Sequence, residues 1–220
     1  MKKILCLLSV LILLTACGSK PAPEWIGASY NHLEGFKKHY LRGNERLAEK
    51  SFQRALEEVK SSGDIEAMAI VHLTKLAVLT ATLETFDDRE YLRLAAADSG
   101  LPHFHYYSFL KGSLAGVETD QLPGQYRHFL NTLRKGSPSE IAREASRIDD
   151  PLSRLIAVGL VVRGGQENEL LLNGAIETAS RQGWKKPLLA YLKRIERYYD
   201  STKEMNKAAD VRKRLELISP

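Results

Sequence analysis

The sequence predicts an all-α fold, built from antiparallel helix pairs stacked in chain order. Three observations predict it. Apolar residues recur with a period near 3.6, and β-branched runs of period two are missing. Glycine, proline and capping residues punctuate the chain at short intervals. The 220 residues include only two cysteines, Cys6 and Cys17. No disulfide framework can therefore replace a packed core.

The chain opens with Met1-Lys2-Lys3, followed by an uncharged apolar run from Ile4 to Ala16. A basic start, an apolar stretch and small residues after it describe a secretory signal. The run is shorter than the roughly 20 apolar residues a membrane span needs. Leu14-Thr15-Ala16-Cys17 resembles the bacterial lipobox: Leu, a small or polar residue, Ala or Gly, then Cys. The resemblance implies diacylglycerol transfer to the Cys17 thiol, cleavage before Cys17, and acylation of the new amino group. A thiolate is the nucleophile such a transfer requires, and several acyl chains anchor a protein stably. Gly18 rather than Asp follows the cysteine, which in the lipoproteins it resembles implies the outer membrane. Residues 1–16 are thus expected to be a signal peptide, and 17–24 a lipidated tether stiffened by Pro21 and Pro23. Residues 25–220 are expected to form the helical domain.

Charge narrows the partners. The formal net charge of +5 falls by two, to +3, if Lys2 and Lys3 leave with the signal. Positive residues are interspersed with Glu and Asp, whereas nucleic-acid binders concentrate a basic face. No nucleic-acid partner is expected.

The body reads as follows. Residues 24–42 carry Ile26, Tyr30, Leu33 and Tyr40 at helical spacing, and Gly43-Asn44 interrupts them. Residues 45–61 place Leu47, Ala48, Phe52, Ala55, Leu56 and Val59 on one stripe. Gly63 suits a helix C-terminus and Asp64 an N-cap. Residues 65–84 are apolar nearly all round, which predicts a central buried helix. Asp87-Asp88 is expected to cap a short helix over 89–98. His103-Phe104-His105-Tyr106-Tyr107 opens an aromatic knot, and residues 112–125 form a loop. After the helix at 126–135, Ser137, Pro138 and Glu140 spell a capping box with proline at N1. Asp150-Pro151 repeats that device before 152–163. Helices at 167–182 and 187–200 follow, separated by Gly183-Trp184. Ser201 to Glu204 predicts one more capping box before a last helix ending near Ile218.

Gly43-Asn44 followed by Ala48, Phe52 and Ala55 resembles the second half of a tetratricopeptide repeat. Tyr199, Ala208 and Leu215 echo it near the C-terminus, and Gly159, Val162 and Ala175 between. Small residues there let two helices approach, and the aromatic fills the gap to the next pair. The first half departs from the pattern: Phe36 stands where a small residue belongs, and no proline closes the unit near Lys60. The resemblance implies a right-handed superhelix whose first helix in each pair lines a concave, partner-binding groove. Tyr30, Lys37 and Tyr40 would line it in the first unit, and Lys193 and Arg197 in the last. An irregular helical bundle is the alternative.

Chemistry-bearing constellations are few. His103 and His105 are two apart, hence about 200° apart around a helix, and poorly placed to share one ion. No cysteine is available in the body, and no metalloprotease, nucleophile-elbow or phosphate-loop motif occurs. No cofactor, metal or catalytic residue is expected. The clusters Lys185-Lys186, Lys193-Arg194/Arg197 and Arg212-Lys213-Arg214 read as a solvated face paired with Glu, or as a docking face for an acidic segment.

The expected function is that of an outer-membrane-anchored periplasmic scaffold lipoprotein. It would bind an envelope protein and support assembly or positioning of an envelope complex. The alternative is a lipoprotein enzyme or ligand carrier with its pocket around His103 to Tyr107.

Overall fold

The computed structural model describes residues 23–98 and 100–219. The expected signal, Cys17 and the tether up to residue 22 lie outside the described residues. The described chain is all-α: eleven helices, one short 3-10 turn at Thr119–Gln121, and no strand among the described residues. In order they are α1 (Glu24–Leu41), α2 (Glu45–Ser62), α3 (Ile65–Ala81), α4 (Arg89–Ala97) and α5 (Phe104–Lys111). After the 3-10 turn come α6 (Gly124–Lys135), α7 (Pro138–Ser146), α8 (Pro151–Arg163), α9 (Glu169–Arg181), α10 (Lys185–Ser201) and α11 (Met205–Ile218). No described helix is long and apolar enough to cross a membrane.

Local chemistry sets the starts. Asp64 accepts from the Ala67 N–H, and Asp150 from the Ser153 N–H. Ser137 and Glu140 form the reciprocal capping box, with Pro138 at the first position. Asn168, which no sequence expectation names, caps α9 by accepting from the Leu171 N–H. Two expected caps differ. Asp88 gives no side-chain cap to α4, because its carboxylate accepts from the Tyr107 hydroxyl at 2.6 Å and the Lys111 ammonium at 2.8 Å. Nor does a capping box form over Ser201 to Glu204. Ser201 ends α10, and Lys203 turns left-handed at φ 63°. The Glu204 N–H then reaches back to the Tyr199 carbonyl, a helix-terminating bond that competes with the cap.

The same termination recurs after α1 (Gly43), α5 (Gly112), α8 (Gly165) and α9 (Gly183), each with positive φ. After α3 it falls on Leu83 at φ 59°, with the Glu84 N–H bonded to the Leu79 carbonyl. This is why α3 stops at Ala81 rather than continuing to residue 84.

Packing divides the apolar residues into two clusters that share α3. Val71 and Val78 join the smaller one, with Phe36, Leu41, Phe52 and Ala55. Leu73, Leu76, Ala77 and Ala81 join the larger one, which runs on to α11. The residues carrying the repeat resemblance, Ala48, Phe52, Ala55, Ala175, Ala208 and Leu215, are all buried. In α1 the inward face differs from the expected stripe. Ser29, Leu33, Phe36 and Leu41 are buried, while Ile26 and Tyr30 face outward. Phe36 takes the inner place because its ring fits between Tyr40 and Phe52, at 5.5 and 5.4 Å. Leu47 is likewise exposed rather than in the stripe.

The sequence predicts one central buried helix; there are two. In α8 every residue from Leu155 to Val162 is buried. It lies against α3 so closely that a Cβ on Gly159 would sit 2.2 Å from the Thr80 carbonyl oxygen. A strictly sequential stack brings only neighbouring pairs together. Here α3 packs on α8, and α10 touches α1.

Candidate functional site

Ile26, Tyr30, Leu33 and Lys37 follow one another at helical spacing and share a face of α1. Ala67, Ile70, Thr74 and Ala77 do the same on α3. The two helices run parallel. Trp25, Ile26 and Tyr30 share a cavity of about 280 Å³ with Asp64, Ala67 and Ile70. Lys37 shares a second, of about 370 Å³, with Ile70, Thr74 and Val78. Ile70 lines both, so the two are stretches of one groove. From Trp25 to Lys37 it follows about 18 Å of helix.

Along this groove three large apolar side chains are uncovered: Ile26 at 44%, Tyr30 at 61% and Ile70 at 40% exposure. Helices α5, α6 and α8 close the far wall of the second stretch with Tyr106, Tyr126 and Ile156. The Tyr106 and Tyr126 rings stack at 6.0 Å. Burial pushes the Tyr106 hydroxyl up to about 12 and the Tyr126 hydroxyl well above its ordinary range. Both therefore stay neutral. Lys37, His103 and Asp150 supply the charged or titratable groups of this stretch. Lys37 pairs with Glu34 at 2.5 Å, and Asp150 is held by the Ser153 N–H at 2.7 Å.

Of the residues proposed from the sequence, Tyr30 and Lys37 thus line the groove. Tyr40 sits elsewhere, in a polar clasp. Its hydroxyl donates to both Glu84 carboxylate oxygens at 3.0 Å, and the Lys186 ammonium stands 3.8 Å over its ring. Burial alone would depress the Lys186 ammonium, but hydrogen bonds to Glu45 and Tyr40 and the charge of Glu84 push it up to about 12. Lys193 and Arg197 line a third cavity, of about 520 Å³, between α8 and α10. Ile70 and Tyr126 were missed as groove residues, whereas Tyr106 belongs with His103 to the pocket expected under the alternative reading. Because α3 is apolar nearly all round, its pattern does not say which apolar residue points out.

The histidine region does not converge on one point. His103 Nε2 lies 3.3 Å from Glu66, while His105 Nδ1 accepts from the Glu118 N–H at 3.1 Å. Tyr107 stacks on Tyr91 at 4.5 Å. Among the described residues, no three His, Cys, Asp or Glu side chains are grouped to hold a metal ion. His72 is half-buried, edge-on to the Phe52 ring at 5.8 Å.

Comparisons with protein-family models, with curated proteins and with solved structures find no match for this chain.

Proposed function

We propose that this protein is a lipid-anchored scaffold on the periplasmic face of the outer membrane. It holds the apolar face of a partner's helix in the α1–α3 groove and so supports assembly or positioning of an envelope complex. The observation that carries the reading is the uncovered strip of Ile26, Tyr30 and Ile70. Contiguous apolar surface of this kind marks interaction sites. The groove walls are two parallel helices, whose ridges accept a third helix with anchors at i, i+3 and i+4. The tetratricopeptide resemblance, which implies that the first helix of each pair lines a partner-binding face, supports this reading, since α1 and α3 would be those first helices. The anchor rests on Leu14 to Cys17.

A photocrosslinking side chain at Tyr30 in intact cells tests the groove, with Lys213 as the control site. The expected outcome is one discrete adduct from Tyr30 that Ile70→Glu abolishes, and none from Lys213. Persistence of the adduct in the Ile70→Glu chain would reject the groove. Cys17→Ala is expected to accumulate an uncleaved, unlipidated precursor, and its normal maturation would reject the anchor.

One observation favours a ligand carrier as the second reading. The stretch around His103 and Tyr106 has a volume of about 370 Å³, within the range of small-molecule pockets. An apolar fluorescent probe that binds there, and is lost in Tyr106→Ala but kept in Ile70→Glu, would favour it.

A further inference from the structure

The cleft between α8 and α10 holds more positive charge than the protein neutralises. Arg163, Lys193, Arg194 and Arg197 line it, with Glu84 as its acidic residue. The Glu84 carboxylate is committed to the clasp: it accepts from Tyr40 at 3.0 Å and from the Thr82 hydroxyl at 2.7 Å, with Lys186 at 3.4 Å. Arg194 is paired with Glu167. The carboxylates nearest in sequence on α10, Glu196 and Asp200, are taken by Arg212 of α11. Lys193 and Arg197 therefore form no ion pair among the described residues.

Arg163 has no carboxylate partner there either. Its guanidinium donates to the Leu110 carbonyl at 2.6 Å and the Glu84 carbonyl at 3.4 Å. It also lies over the Phe86 ring at 4.9 Å. Carbonyl dipoles and a ring face fix its position without cancelling its charge. The lip of the cleft is Leu83, a non-glycine residue held at φ 59°.

We propose that this cleft binds the phosphate group of an organic phosphate. Three uncompensated cations exceed what one carboxylate neutralises, whereas a phosphomonoester carries about two negative charges. Two of the three are arginines, whose planar forks suit phosphate oxygens. The volume of about 520 Å³ exceeds a bare phosphate, so the organic remainder lies over Leu83, Val162 and Ala190. The phosphate belongs to a soluble ester or to a lipid headgroup, and the chemistry recognised is the same. The site is separate from the α1–α3 groove and does not depend on it.

Calorimetric titration of the full chain with pyrophosphate at low ionic strength tests the site. Saturable binding is expected. Lys193→Gln/Arg197→Gln should weaken it about tenfold or more. Arg46→Gln/Lys50→Gln, equal in charge change and exposed on α2, should leave it unchanged. Both altered pairs are exposed, and unfolding midpoints check that the fold is kept. No saturable binding, or equal weakening in both variants, overturns the proposal. So does hexaglutamate binding more tightly than pyrophosphate with the same dependence on Lys193 and Arg197, since the occupant would then be an acidic peptide. Phosphatidylcholine vesicles with and without phosphatidic acid separate the sources. Retention on the phosphatidic-acid vesicles, lost in Lys193→Gln/Arg197→Gln, supports a lipid headgroup. Pyrophosphate binding without vesicle retention supports a soluble ester.

Discussion

His72 sits where desolvation pulls its pKa below the ordinary 6.5; Glu90 opposes the shift, while Lys75, Lys60 and Arg93 add to it. A depressed imidazole pKa means that the unfolded chain takes up the proton first as pH falls. The unfolded state then binds more protons than the folded one, so stability rises with pH across that window. Above the ordinary imidazole value the group contributes no slope. Urea midpoints at pH 7.5 and 5.5 are expected to show a loss at the lower pH, and His72→Gln should reduce it. An unchanged pH difference in that variant would show that His72 is not the source. The sequence placed His72 in a buried helix, since its neighbours are apolar. It could not supply the Phe52 edge, which comes from α2. Tyr40 shows the same limit. Its helical position was readable, but the Glu84 carboxylate that claims its hydroxyl lies 44 residues away.

Helix starts were readable wherever the bonding partner lies within the next turn. Asp64, Ser137 and Asp150 cap as expected because donor and acceptor are three residues apart. Left-handed positions were readable where glycine marks them, and unreadable at Leu83 and Lys203, where packing and the reaching-back N–H hold an unfavourable residue in place. Close approach between elements was not readable at all. Gly159 looked like a faint echo of a repeat; its role is to let α8 touch α3. A methyl group there meets the Thr80 carbonyl oxygen at 2.2 Å and its carbon at 3.0 Å, and backbone cannot swing aside. Gly159→Ala is therefore expected to destabilise by about 3 kcal/mol, the upper end of overpacking costs. Chemical unfolding measures it, and a loss below about 0.5 kcal/mol, ordinary for a surface change, would show that the two helices are free to separate.

At the scale of the molecule, the clasp of Tyr40, Glu45, Glu84 and Lys186 ties the first hairpin to α10. The Lys186–Glu45 contact, at 2.7 Å, joins residues 141 apart in sequence. Hydrogen bonds to charged groups contribute about 1.5–3 kcal/mol each; the Lys186 side chain is only 18% exposed, but Glu45 is 73% exposed, so solvent screens that contact toward the lower end. Lys186→Met is expected to cost about 2 kcal/mol and to lower amide protection in α1 and α2 more than in α8. Uniform loss of protection would show that the clasp does not hold the hairpin separately. Helix content, most boundaries and the caps at Asp64, Ser137 and Asp150 follow from residues within a few positions of one another, so one sequence suffices to read them. Which face of α3 stays uncovered, which cations keep no partner and where α8 lies depend on segments far apart in sequence, as Arg163 and Glu84, 79 residues apart, show at the cleft. A helix that is apolar on every side carries no direction of its own. Its direction is set when its neighbours pack, and with it the place of the groove and the cleft.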